Sequence, residues 1–225
     1  MSILLISPPF VQLNSPYSAL PFLIGSLKAN GIDCSGYDLG IKIAGKLFSK
    51  SGLELLYDTV RTCGKFKSDD IDFFMAYKND YIKTIGHVVS FLKGKNPNLA
   101  IKIINPDYLP VWKMSQTAFE CNIDQFGTTD YARYLASLYL EDIFLFYKAV
   151  CPDYELSRYG EKLAVSPPFF DKLYKSVIDN NDIISGMIAD ELIHSEFTDH
   201  EIIALTVPFP GTLLGALKTA KFIKE

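Results

Sequence analysis

Two proline-rich loops hold most of the residues able to contact a ligand. The first, Ser7 to Pro21, carries Pro8, Pro9, Pro16 and Pro21 with Phe10, Leu13 and Tyr17, and its hydrogen-bonding groups are Gln12, Asn14 and serines that include Ser15. The second is Pro208-Phe209-Pro210-Gly211, with Thr206 before it and Thr212 after it. Proline fixes φ and removes an N–H donor, so these loops read as stiff apolar rims. Such a rim suits a large, flat, mostly apolar ligand. Thr212 and the N–H groups opening the next helix can receive that ligand's polar edge. No glycine lies between Ile6 and Gly25, so the first loop is not a G-x-G-x-x-G turn and dinucleotide binding is disfavoured.

Other chemistry-bearing residues are scattered. Asp38, at a strand end, either bonds a ligand hydroxyl or caps the next turn. His87, beside Val88 and Val89, reads as a structural histidine in an apolar helical stretch. His194 and His200 stand near Glu191, Glu196 and Asp199, either as a metal site or as a solvated acidic helix end; no two histidines are spaced i, i+4, which favours the second. Cys34, Cys63, Cys121 and Cys151 form no C-x-x-C pair and read as reduced, buried thiols. No Ser, His and Asp set can be assigned, so no catalytic or metal-ligating residue is predicted.

The elements that position the loops are legible at both ends of the chain. Ile3 to Ile6 is a short apolar run stopped by Ser7-Pro8-Pro9, the pattern of a strand buried on both faces of a parallel sheet. Ser18 can cap a helix with Leu20, Leu23, Ile24 and Leu27 on one face, Pro21 in its first turn and Gly31 as its stop. Ile32 to Tyr37 reads as a second strand, which completes a right-handed βαβ unit. Glu201 to Val207 is a third strand, followed by a helix with Leu213, Leu214, Leu217, Ala220 and Ile223 in register. The expected fold is a partial flavodoxin-like, Rossmann-like parallel sheet made of residues 1–40 and 201–225, interrupted by a mostly helical insertion, 41–200.

Within the insertion Leu53 to Cys63, Ile71 to Leu92 and Tyr131 to Val150 read as helices, the last with a stripe of Tyr134, Leu135, Leu138, Ile143 and Phe146. Leu99 to Ile104 reads as a candidate strand and Asn105 to Pro110 as a turn. A second Ser-Pro-Pro-Phe at Ser166 to Phe169 lacks matching flanks and reads as chance recurrence. In an open parallel sheet ligands bind beyond the carboxyl ends of the strands where the order reverses, which points back to Ser7 and Val207.

The order apolar strand, Pro-Pro, proline-bearing loop, Ala19-Leu20-Pro21-Phe22-Leu23-Ile24-Gly25-Ser26-Leu27-Lys28, Gly31 and a strand ending in Asp38 resembles the N-terminal cobalamin-binding domain of cobalamin-dependent radical SAM proteins. Leu205-Thr206-Val207-Pro208-Phe209-Pro210-Gly211 followed by Ala216-Leu217-Lys218-Thr219-Ala220-Lys221 is similar to the same family. The resemblance lies at the two ends and touches no part of the insertion. It implies a cobalamin site at Pro8, Pro9, Phe10, Asn14, Ser15, Tyr17, Asp38, Thr206, Pro208, Phe209, Gly211 and Thr212. It also implies a separate barrel that carries S-adenosylmethionine and an iron-sulfur cluster and performs methyl transfer or rearrangement. Two features depart from that pattern. No D-x-H-x-x-G follows the first strand, and no histidine precedes His87, so cobalamin would bind without a protein imidazole on cobalt; the C-x-x-x-C-x-x-C cluster motif is missing. A non-enzymatic α/β module binding a protein or another flat ligand is the alternative.

Partners follow from charge and edges. A net charge of -4 over 225 residues argues against nucleic acid. The charge is split, net +5 over Ile41 to Lys113 and net -10 over Glu120 to Glu201, as in two oppositely charged halves of one inserted region. No stretch reaches the ~18 apolar residues of a membrane span, and no signal-peptide pattern surrounds Ile3 to Ile6, so the cytoplasm is the expected compartment. Three strands in the order 2-1-3 would leave the third as a bare apolar edge. That edge predicts a portion of a longer polypeptide, completed by a C-terminal radical SAM domain or paired in a homodimer.

Overall fold

The computed structural model describes residues 2–11, 17–120, 127–154, 170–194, 197 and 200–225. In chain order the elements are β1 (Ser2–Ser7), α1 (Ala19–Ala29), β2 (Asp33–Asp38), α2 (Leu39–Leu47), α3 (Lys50–Cys63), α4 (Asp69–Ala76), α5 (Lys78–Leu92), α6 (Leu99–Ile103), α7 (Lys113–Gln116), α8 (Thr128–Val150), α9 (Phe170–Ile178), α10 (Ile183–Ile193), β3 (Ile202–Leu205) and α11 (Pro210–Lys224). They form two compact units, Met1–Gly45 with Cys151–Glu225, and Lys46–Val150.

The first unit is α/β. Its sheet has the order β2-β1-β3, and both pairings are parallel, so all three carboxyl ends lie on one edge. Leu4, Leu5 and Ile6 of the central strand are buried, as a strand covered on both faces requires. In register, Leu5 aligns with Gly36 and Ala204, which puts these residues on one face. α1 covers that face closely, since a Cβ on Gly36 would run into the Ile24 and Leu20 side chains. Gly31, at φ 73°, ends α1 in the left-handed conformation, with Ile32 N–H donating to Leu27 O at 3.0 Å. Ser18 occupies the N-cap of α1, but its side chain makes no capping bond. The expected inward face is also looser than the spacing suggests: Leu23 is 42% exposed and no α1 residue is buried.

The second unit is helical and is built on α8. Tyr131, Ala136, Leu138, Tyr139, Ile143, Phe146 and Tyr147 line its buried side at helical spacing. Aromatic rings fill the space around it. Phe74 stacks on Phe146 at 4.8 Å and Tyr81 on Tyr139 at 5.2 Å. Ser49 and Ser68 cap α3 and α4 by accepting from Gly52 and Ile71 N–H at 3.0 and 3.2 Å.

Three local expectations change. Leu99–Ile103 is helical, not a strand; Leu99, Ala100 and Ile103 fall on one helical face and are buried, whereas a short apolar run alone does not distinguish the two periods. The helix expected over Ile71 to Leu92 breaks at Tyr77, which ends α4 and starts α5. There the Phe73 ring stacks on Trp112 at 4.0 Å and lies 4.6 Å from Tyr77, a long-range aromatic contact that local periodicity does not encode. Cys63 is exposed at the end of α3, while Cys34 and Cys151 are buried; Cys121 lies outside the described residues.

Asp142 of α8 is a fully buried carboxyl of the helical unit. It accepts from Met114 N–H at 2.7 Å, from Ser115 N–H at 3.0 Å and from the Ser115 hydroxyl at 2.5 Å, holding the start of α7 against α8. Burial raises its pKa above the usual 3.8 and outweighs those hydrogen bonds, which act downward. A carboxyl raised in the folded state contributes stability that is complete below the unfolded pKa and is lost as pH rises through the folded pKa. Thermal melts from pH 3.5 to 6.5 should therefore show the margin of the wild type over Asp142→Asn largest at low pH and narrowing upward. A margin that widens with pH would contradict the assignment.

Candidate functional site

The carboxyl edge of the sheet brings both proline-rich loops together. Tyr17, at the end of the first, meets Phe209 of the second edge-on, with ring centroids 6.2 Å apart. Both are half-buried, as are Thr206, Pro208 and Gly211. Asn14 and Ser15 lie outside the described residues, as do Gln12, Leu13 and Pro16.

The start of the first loop turns inward and does not form an open rim. Pro8 and Pro9 are buried, and Phe10 is 1% exposed, its ring edge-on to Tyr154 at 6.1 Å. Two glycines make room for this stretch. The Pro9 carbonyl lies against Gly215 of α11, where a Cβ would collide with backbone; a Cβ on Gly40 would stand 3.2 Å from the Pro8 carbonyl oxygen. Ser7, 1% exposed at the end of β1, has a buried hydroxyl with no hydrogen-bond partner among the described residues. A buried hydroxyl left so is a cost to the fold.

Around these residues the polar groups are already engaged in holding the fold. Thr206 extends the β1–β3 ladder through its N–H to Ile6 O at 3.0 Å. Thr212 is buried; its N–H and hydroxyl both donate to Phe209 O, at 3.0 and 2.8 Å. Pro210, without an N–H, opens α11, and the N–H of Gly211 has no partner within the helix by geometry. Of the two roles open to Asp38, one is taken: Oδ1 accepts from Ile41 N–H at 2.9 Å at the start of α2.

Beneath the loops lies a residue that periodicity treats as a surface lysine. Lys218, 1% exposed, donates to Asp179 O at 2.5 Å, Asp182 Oδ2 at 2.9 Å and Ser185 Oγ at 2.5 Å, and lies 5.7 Å from the centre of the Tyr154 ring. Asp182 is the N-cap of α10 and accepts from Ser185 N–H at 2.7 Å. The same face of α11 carries Gly215, Lys218 and Lys221, spaced by three residues. That spacing, with Leu214 and Ala216 buried alongside, is the one local signal that Lys218 faces inward. Nearby Cys151 has its thiol pushed up to about 12, chiefly by burial and then by the Asp182 charge, so it is an inert thiol.

The histidines of the α/β unit are engaged outside these loops. His200 precedes β3, at the amino edge of the sheet, with Nε2 2.8 Å from Ser35 Oγ. His194 Nδ1 is 2.7 Å from Asp190 O, and Glu191 accepts from the Tyr37 hydroxyl at 2.5 Å. Glu196 and Asp199 lie outside the described residues. His87, in the helical unit, is exposed and pairs with the Tyr108 hydroxyl at 2.8 Å. Among the described residues no three His, Cys, Asp or Glu are grouped to hold a metal ion. No helix among them is long and apolar enough to cross a membrane. The helical unit has its own apolar cleft, lined by Pro106, Leu109, Pro110, Tyr131, Leu135 and Tyr139, and no residue named above as a candidate ligand contact lies in it.

Lys218→Met should destabilise the chain by about 3–5 kcal/mol in urea unfolding, because it strands the Asp182 carboxylate without its cation. Lys218→Met combined with Asp182→Asn should recover part of that loss. Equal or additive losses would contradict a buried pair.

No protein-family model, curated protein or solved structure matches the chain.

Proposed function

We propose that the α/β unit is a cobalamin-binding module of flavodoxin-like type, the cofactor-holding part of a radical SAM enzyme. The observation that carries this reading is the Tyr17–Phe209 contact, which joins the two proline-rich loops at the carboxyl edge of a parallel sheet ordered β2-β1-β3. A flat macrocycle would lie against Tyr17, Pro208 and Phe209. The Gly211 N–H, at the open first turn of α11, is the group able to bond its polar periphery.

The donor set fits a corrin held without an imidazole from the protein. Within the α/β unit His200 precedes β3 at the opposite end of the strands, and no histidine lies between Met1 and His87. Bound cobalamin would supply a cobalt centre able to carry a methyl group. The residues of this unit would bind and orient it, and Pro8 to Phe10, packed beneath, would stiffen the floor. The radical step belongs to a domain with a C-x-x-x-C-x-x-C motif, a pattern these four cysteines do not make.

Titration with hydroxocobalamin, followed by its visible spectrum, tests the reading. Saturable spectral change is expected, with affinity lowered about tenfold or more by Tyr17→Ala or Phe209→Ala. His200→Ala should leave both spectrum and affinity unchanged. No saturable change, or a spectrum altered by His200→Ala, would contradict the proposal. The second reading, a protein-binding module, would then be favoured by the apolar surface that α1 exposes.

A further inference from the structure

The helical unit carries a run of positive charge with no counter-charge. From Tyr81 to Pro106 there is no Asp or Glu, and the stretch holds Lys83, Lys93, Lys95 and Lys102. All four are exposed, and none of their ammonium groups has a partner among the described residues. Four other cations of the unit stand beside carboxylates: Lys50 is 3.8 Å from Glu54, Arg61 3.2 Å from Asp58, Lys113 2.8 Å from Asp70 and Arg133 3.3 Å from Asp130.

The fold gathers the unpaired lysines. Along α5 and its C-cap, Lys83, Gly86, His87 and Lys93 are exposed and fall on one side at helical spacing. The chain turns at Gly94, φ 71°, and α6 packs on α5. Just beyond α6 the Tyr108 hydroxyl lies 2.8 Å from His87 Nδ1, so the stretch from Lys95 to Tyr108 runs back beside that side of α5. Leu99, Ala100 and Ile103 are the buried residues of α6, which leaves Ile101 and Lys102 outward. Ile101 is 72% exposed, an apolar side chain set among lysines. Asp80, in the first turn of α5, and Asp107, beside Tyr108, are the carboxylates that bound the run.

We propose that this face of α5 and α6 binds an anionic lipid surface, with the lysines among the headgroups and Ile101 at the acyl boundary. Lysine ammonium groups on flexible stems suit a fluid layer whose charges can move to meet them. Recognition of a defined phosphate favours the planar fork of arginine, and Tyr81 to Pro106 has none. Single-stranded nucleic acid asks for exposed rings on which bases stack; Tyr81 and Phe91, the rings of this stretch, are both buried. An exposed isoleucine gains nothing in water but is stabilised where headgroups meet acyl chains. The net charge of -4 on the whole chain does not oppose the contact, because exposed charges farther than about 8 Å are screened at physiological salt. Each lysine near such a surface contributes roughly fivefold in affinity, so four give reversible, salt-sensitive binding. This surface belongs to the helical unit and does not rest on the cofactor proposal.

Cosedimentation of the full chain with vesicles tests it, using phosphatidylcholine alone and phosphatidylcholine with about one-third phosphatidylserine. At about 0.1 M salt the chain should bind the second kind only, and about 0.5 M salt should release it. Lys93→Glu with Lys95→Glu should weaken binding at least about tenfold, and Ile101→Asp about threefold or more. Unfolding midpoints should stay unchanged, because these side chains are already exposed. Lys172→Glu with Lys175→Glu on α9 makes the same change in net charge and should leave binding as it is. No binding, equal binding to phosphatidylcholine alone, or equal loss in the two double variants would overturn the proposal, as would wild-type binding by Ile101→Asp. Tighter binding of single-stranded RNA than of the anionic vesicles at the same salt would overturn it in favour of nucleic acid.

Discussion

The α/β unit depends on one close approach, that of the Pro9 carbonyl to the α-carbon of Gly215. A helix and a loop backbone come together here with no side chain between them, which only glycine permits. The consequence runs in both directions along the chain. It pulls Pro8, Pro9 and Phe10 under the edge of the sheet, and it fixes α11, and with it Phe209, relative to β1. Among the described residues of this edge, Tyr17 and Phe209, one from each loop, are half-buried and in ring contact.

Behind that approach the same helix face carries a second fastening of a different physical kind. Lys218 has its three donors met by a backbone carbonyl, a carboxylate and a hydroxyl, all from the start of α10 or the turn before it. A buried ammonium is tolerable only when its hydrogen bonds are complete. The Tyr154 ring lies beside it, and the Tyr154 hydroxyl bonds Ser185 at 3.1 Å. Because Phe10 packs on Tyr154, the polar cluster and the inward loop form one continuous support.

What could be read from sequence, and what could not, divides by range. β1 was legible because an apolar run ending in Pro-Pro has few alternatives, and Gly31 because a left-handed stop after a helix favours glycine. The stripe of α8 was legible in part because its period repeats over several turns: Leu138, Ile143 and Phe146 are buried, whereas Tyr134 and Leu135 are only half-buried. Leu99–Ile103 is too short for period to decide its type. The break at Tyr77 rests on ring contacts with partners far along the chain, and the inward turn of Phe10 rests on Tyr154, more than a hundred residues away. Lys218 was missed because lysines on a C-terminal helix usually face water, and only the partners around it reverse that expectation. Of the candidate site, the meeting of the two loops followed from strand-end logic, whereas the burial of Pro8, Pro9 and Phe10 did not.

Gly215→Ala in urea unfolding tests the central claim most directly. At an unobstructed helical position alanine would stabilise by about 1 kcal/mol through helix propensity. If the Pro9 carbonyl occupies the space a Cβ needs, the variant should instead lose about 1–3 kcal/mol, as overpacked sites do. Unchanged or increased stability would contradict the approach on which the loop and the helix are built.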